Sequence, residues 1–413
     1  MSKKVDAFIL IAQQEWELNL GSNARNLAVE ISKTMPVIYV NPDTNVKSLI
    51  SRASTPYGRK RLKLALGIGE NTEKLADNLW LHTPQNISSS INWLKNFKLY
   101  DMLNRRNAKG FFESLKKAVK KLNWQPENCI VFNDSQMFAG PFVKEFFNPR
   151  LSFYYIRDNL VEQAYFRFHG PRIEPVTIKE ADAIFGNSAY LTEYGLKYNL
   201  RSLEIGQGCE TDIYDAFSEK TEPADLAPIK HPRIGYVGFL THERLDIQLL
   251  EQIAEAKKDW QIVLIGPEDP VFEKSRLHEI PNVHFLGAKK TSELPAYMHY
   301  MDVCMNPQVI NGLTIGNYPR KIDEYLSMGK PTVATETLAM KMFLPHVELA
   351  VGLEGYLKAI EKALQPQSME QKLAAINCAK SHTWEACVEK IFAVQDQLLT
   401  EKDQSHLKSI SSL

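Results

Sequence analysis

Lys321 and Glu324 lie three residues apart within Asn306 to Thr335, NPQVINGLTIGNYPRKIDEYLSMGKPTVAT. On a helix that spacing sets two side chains next to each other. A carboxylate has two acceptor oxygens and can take hydrogen bonds from both hydroxyls of a ribose cis-diol. The lysine, with N–H groups of the preceding loop and helix N-terminus, can meet an anion. Together they fit a nucleoside diphosphate, although an ordinary solvated helix pair has the same spacing. Two more acids, Asp134 and Asp158, follow the apolar runs CIVFN and LSFYYI. They fall just past strand ends, the edge where open α/β sheets carry their chemistry. Each either exchanges a proton with a substrate or caps the next helix.

The elements that must hold these residues are legible as periodicities. Pro319 suits a first helical turn, and Gly329 with Pro331 stops the helix. Ile322, Tyr325 and Leu326, at i, i+3 and i+4, turn one face inward. Upstream, DAFILI reads as a buried strand, Gly21 and Ser22 open a helix, and VIYVN returns as a strand. Gly21 sits where such sheets bind ligands, or makes a plain tight turn. Strand and helix patterns alternate to SLEIGQG, and a polar stretch with Pro223, Pro228 and Pro232 has no periodicity. A second series then runs from RIGYVGF to TVAT. The expected class is α/β, with two Rossmann-like domains facing across a cleft. The domains are 1–215 and 233–383, joined by a linker at 216–232, with a last segment at 384–400.

Composition removes several classes. The chain has 413 residues, 44% hydrophobic and 24% charged, ordinary for a globular protein able to bury two or three cores. Its longest apolar runs are strand length, far short of the ~20 residues a bilayer span needs. The N-terminal residues show no cleavable leader, so a cytoplasmic location is the expectation. Five cysteines without a CxxC pair suggest neither a disulfide framework nor a thiolate zinc site. The zero net charge hides an asymmetry: residues 44–125 carry sixteen Lys and Arg against five Asp and Glu. That is +11, against −11 elsewhere. Aromatics interleave with these cations in INWLKNFKLYDMLNRR. The pattern fits a solvated helix face, or a surface that lies on anionic lipid. No nucleic-acid motif accompanies it, so no nucleic-acid partner is expected.

The sequences IGYVGFLTHERLD, WQIVLIGP, NVHFLG, DVCMNP, PRKIDEYLSMGKPTVAT and the late Trp384 together resemble the donor domain of GT-B glycosyltransferases. The likeness is to GT4-type enzymes that build bacterial cell-surface polysaccharides, including the teichuronic acid group. IRDNL, EADAIFGNSAYL and IGQGCETDIY resemble the matching acceptor-domain elements. The resemblance implies a GT-B fold whose C-terminal helix crosses back to the N-terminal domain. It implies that Glu324 binds the nucleotide ribose, that Lys321 and Arg244 face the diphosphate, and that Gly238 and Gly21 let backbone approach it. Asn317 and Tyr318 would cover the sugar, and the region of Gly287 the base. Two positions depart from the pattern. Gly316 stands where many members have a Glu, and Phe239 follows the strand glycine in place of Arg.

The function expected is transfer of a sugar from a nucleotide-diphosphate donor to a glycan or lipid-linked acceptor, with retention. It would need no cofactor and no metal, in keeping with the lack of a D-x-D triplet. Asp134, then Asp158, are the candidate base or polarising groups. A lipid-linked acceptor would bring the protein to the inner leaflet through 44–125. A sugar-nucleotide epimerase of the same fold, or a non-catalytic nucleotide-sugar-binding homologue, are the alternatives.

Overall fold

The computed structural model describes residues 5–17, 22–52, 54–211 and 213–411, which form two compact units. The first contains the chain up to Gly206 together with Trp384 onward, and the second is Gln207–Thr383.

The strands of the first unit are β1 (Ala7–Ile11), β2 (Val37–Val40), β3 (Thr44–Asn45), β4 (Thr72–Ala76), β5 (Leu79–His82), β6 (Ile87–Ser88), β7 (Cys129–Asp134), β8 (Leu151–Ile156), β9 (Ala183–Gly186) and β10 (Ser202–Glu204). Eight make one sheet in the order β10-β9-β8-β7-β1-β2-β5-β4, while β3 and β6 pair separately. Within the large sheet only β4 runs antiparallel to its neighbour. Every residue of β1, β2, β7 and β8 is buried, which is why these strands read as unbroken apolar runs. Phe8 and Leu10 pack toward the helices Asn23–Ser32 and Trp384–Ser411, and Ile9 and Val131 toward Phe112 and Leu115 of the long basic helix Phe97–Lys121.

The second unit has β11 (Arg233–Val237), β12 (Gln261–Ile265), β13 (Val283–Phe285), β14 (Val303–Asn306), β15 (Thr332–Thr335) and β16 (Glu348–Ala350). All are parallel, in the order β13-β12-β11-β14-β15-β16. This is the doubly wound arrangement whose chain direction reverses beside its first strand, between β11 and β14. The first unit reverses likewise between β1 and β7. A crevice at the carboxyl ends of the strands follows at each reversal.

The stretch read as a linker packs within the second unit. Leu226 and Ile229 are buried in its core, Tyr297 donates to Asp225 at 2.8 Å, and Tyr300 donates to the Lys220 carbonyl at 2.7 Å. Its prolines break periodicity without freeing the chain. The last helix extends to Ser411, past the expected 400, and Arg150 and Asp403 pair across it at 2.7 Å. Among the described residues, no helix is long and apolar enough to cross a membrane. Of the five cysteines, Cys129, Cys209, Cys304 and Cys387 are buried and Cys378 is half-buried.

Candidate functional site

The crevice between β11 and β14 collects most of the residues singled out in the second half of the sequence. Gly238, directly after β11, has φ +145°, a conformation that side chains rarely adopt. A Cβ there would lie 3.3 Å from Cε of Lys321, so strand end and lysine touch. The Lys321 ammonium stands over the ring of Tyr236, 5.0 Å from its centroid. Arg244 is exposed on the loop leading to the helix Ile247–Ala256. Its carbonyl accepts from Val309 N–H at 2.9 Å, and Asp246 N–H donates to the Pro307 carbonyl at 2.9 Å. The loops after β11 and β14 are thereby stitched together, with Arg244 at the seam.

The short helix Lys321–Ser327 forms the other wall. Ile322, Tyr325 and Leu326 are fully buried, as their spacing predicts, and the Tyr325 hydroxyl accepts from Val237 N–H at 2.9 Å. Glu324 is half-buried and takes a hydrogen bond from Tyr214. Burial pushes its carboxyl above the usual range, while Arg320 and Lys321 pull it back. Three positive or hydroxylic groups thus surround one carboxylate at the mouth of an apolar helix.

The Tyr318 side chain turns inward: its ring is buried, its hydroxyl donates to Oδ2 of Asp323 at 2.7 Å, and its edge packs on Phe343, so at Tyr318 only the backbone of the Asn317–Tyr318 loop is left to face a ligand. His382 Nδ1 lies 2.7 Å from the other oxygen of Asp323. Asn317 is half-buried and Gly316 buried. Gly287 has φ +67°, and a Cβ there would meet nothing within 4 Å, so it offers open backbone beyond β13. Gly21 lies outside the described residues.

At the carboxyl edge of the first sheet, Asp134 and Asp158 flank Arg157. Arg157 Nε stands 3.2 Å from Asp134, and Asp158 adds to the same field. Asp134 has no exposed surface, and burial pushes its carboxyl up despite the arginine. An acceptor hydroxyl has no access to it, so the reading of Asp134 as first candidate base is overturned by its burial. Asp158 is half-buried.

Three participants escaped the sequence reading. Gly266, after β12, has φ +150°, and a Cβ there would fall 1.9 Å from the Gly238 carbonyl oxygen. Its N–H donates to Gly287 O at 3.0 Å, and Gly238 N–H to Ile265 O at 2.8 Å, so the three glycines form one backbone shelf. A glycine directly after the run QIVLI was the available signal. Tyr214 lay in the stretch assigned to the first domain, and the Asp323–His382 pair joins residues 59 apart. Neither had a local signature.

Two Rossmann-like units, the second wound about a glycine shelf facing a Lys/Glu helix, define the GT-B class of fold. Residues 231–365 match the family model described as glycosyl transferases group 1. TuaH of Bacillus subtilis, named as a teichuronic acid biosynthesis glycosyltransferase, is 27% identical over 229 residues. That match covers 52% of this chain and 56% of TuaH. Among solved structures, sucrose-phosphate synthase from Thermosynechococcus elongatus is 15% identical with a TM-score of 0.63, covering 96% of this chain and 100% of that one. An α,α-trehalose-phosphate synthase (UDP-forming) from Burkholderia vietnamiensis is 10% identical with a TM-score of 0.64, covering 97% and 99%. HepE of Anabaena, in complex with UDP and glucose, is 15% identical with a TM-score of 0.52, covering 99% and 100%. At these identities the structural likeness speaks for the fold.

Proposed function

We propose that this protein is a glycosyltransferase that moves a sugar from a nucleotide-diphosphate donor to a glycan or lipid-linked acceptor in surface polysaccharide synthesis. The observation that carries this reading is the meeting of Gly238, Lys321 and Glu324 at the strand reversal of the second unit, where Lys321 Cε lies within 3.3 Å of a Cβ built on Gly238. The family match over 231–365 covers the same residues, and the names of TuaH and HepE agree in chemistry with it.

In this reading the glycine shelf lets the backbone approach the diphosphate without a side chain between them. Lys321 and Arg244 offset the negative charge that develops on the leaving group, lowering the barrier. Glu324 accepts from both ribose hydroxyls, and Tyr214 and Arg320 hold its orientation. With Asp134 shut away, the departing phosphate oxygen takes the acceptor proton, the arrangement a front-face transfer with retention requires. Residues 44–125 supply membrane contact: Ile50, Leu66, Trp93 and Met102 are exposed among their cations. This surface suits a lipid-linked acceptor on an anionic leaflet.

Calorimetric titration with UDP tests the donor assignment. Glu324→Ala should weaken binding about 30-fold, roughly 2 kcal/mol for hydrogen bonds to a charged group. Unchanged affinity would remove Glu324 from the site. UDP binding without turnover of any UDP-sugar would favour the non-catalytic reading that Gly316 raises.

A further inference from the structure

Apart from the crevice of the second unit, the first unit holds a pocket of about 210 Å³, open to solvent on one side, at the carboxyl edge of its own sheet. Gln13 enters it from the loop after β1, Asp43 from the loop after β2, and Asn104 and Asn107 from the helix Phe97–Lys121. Asn92 and Tyr165 also line it. The lining is rich in amides, with one carboxylate and several aromatic rings, and among the described residues no Lys or Arg contributes to it.

That chemistry narrows the occupant. A phosphate or carboxylate would face Asp43 with no cation in the wall, so an anion is disfavoured. Amides that both donate and accept, beside one acid, match hydroxyl groups that do the same. Aromatic rings offer apolar faces to the C–H side of a pyranose. The volume lies below the roughly 300–1,000 Å³ of sites for drug-sized ligands, so a single ring suits it better than a nucleotide. Gln13 Oε1 is buried and, among the described residues, has no hydrogen-bond partner. A buried acceptor left so is unfavourable, and a ligand hydroxyl would relieve it. Asn104 and Asn107 are already oriented, the first donating to the Phe138 carbonyl at 2.9 Å and the second to the Ser89 carbonyl at 3.1 Å.

We propose that this cavity binds one neutral sugar ring, with Asp43 accepting a ring hydroxyl and the amides of Asn104 and Asn107 facing its neighbours. Its role as the seat of the acceptor's terminal sugar rests on the transfer reading above, whereas sugar binding itself does not. The half-buried Asp43 carboxyl, which already accepts from Asn86 at 3.4 Å, is pushed by burial above its usual range, which favours a hydroxylated neutral occupant over a bare cation.

Saturation-transfer NMR on the full chain, with the methyl glycosides of glucose, galactose, mannose and N-acetylglucosamine as probes, tests this, with UDP calorimetry run on the same preparation. At least one glycoside should receive saturation. Ala108→Leu, which fills the cavity from its wall, and the near-isosteric Asp43→Asn should each weaken it about tenfold or more, with UDP affinity unchanged. If Ala108→Leu does not fold, Asp43→Asn decides. A protein that binds UDP yet saturates none of the four probes overturns the pocket alone, as does saturation indifferent to both variants. Glycoside binding that responds to the variants in a protein with no affinity for UDP, GDP, ADP or dTDP keeps the pocket and sinks the donor reading instead.

Discussion

Asp323 and Glu324 adjoin in sequence but have opposite surroundings, because one step along a helix turns a side chain by about 100°. Glu324 stays at the crevice, while Asp323 points inward and is made tolerable there by Tyr318 and His382. A similar arrangement in the first unit has a consequence that can be measured. Glu174, on the helix Gly170–Glu180, is buried and accepts from the hydroxyls of Tyr154 at 2.7 Å and Tyr194 at 3.1 Å. Burial raises its carboxyl from 4.5 to about 7, the two hydroxyls only partly opposing this. The folded protein therefore holds this proton more tightly than the unfolded chain. The stability so gained is complete below about pH 4.5 and is lost as pH rises through about 7. Glu174→Gln removes the ionisation, which at this shift is worth up to about 3 kcal/mol. Thermal melts should show the variant more stable than the parent at pH 8 and similar to it near pH 5. Parallel curves across that range would refute the assignment.

At the scale of elements, the glycine shelf explains how three strands end close enough to leave a backbone surface. Gly266 tolerates no Cβ because the Gly238 carbonyl occupies that place, whereas Gly287 has a positive φ but open space around it. Gly266→Ala should therefore destabilise the second unit by about 2 kcal/mol or more and weaken UDP binding, while Gly287→Ala should cost about 1 kcal/mol of backbone strain alone. Equal melting temperatures for the two variants would contradict this. The contrast also marks what the sequence could reveal. Buried parallel strands advertise themselves as apolar runs, so both sheets and the Lys321/Glu324 helix were legible. Side-chain destinations set by distant partners were not. Nothing local showed that the Tyr318 side chain would turn inward to Asp323, itself held by His382, or that Asp134 would be fully buried beside Arg157. The proline-rich stretch looked free because its anchors, Tyr297 and Tyr300, lie far along the chain.

For the whole molecule, charge placement matters more than charge. Zero net charge gives no general attraction to an anionic surface, but +11 confined to residues 44–125 gives a local one. The helices Val46–Arg52, Pro56–Ala65 and Phe97–Lys121 all come from this stretch, and Arg52, Arg105 and Lys121 are paired there with Glu15, Glu145 and Glu70. Exposed Trp93 and Phe97 lie near its cations, and Phe168 stacks toward Phe97 at 5.8 Å from another segment. Arg172 covers the ring of Phe97 at 4.8 Å, so at least one aromatic is held in place before any contact. A surface of this composition should bind by two separable forces: cations give a salt-sensitive attraction, and aromatics a smaller insertion that salt does not screen. In flotation assays the protein should rise with vesicles containing phosphatidylglycerol and stay down with pure phosphatidylcholine. Raising salt to about 1 M, where the screening length falls to roughly 3 Å, should remove most of the binding. Trp93→Ser should lower what remains, and reversing Lys95 and Lys98 to Glu should abolish flotation at low salt. Binding to neutral vesicles that ignores both salt and these charges would show that the basic segment is ordinary solvated surface.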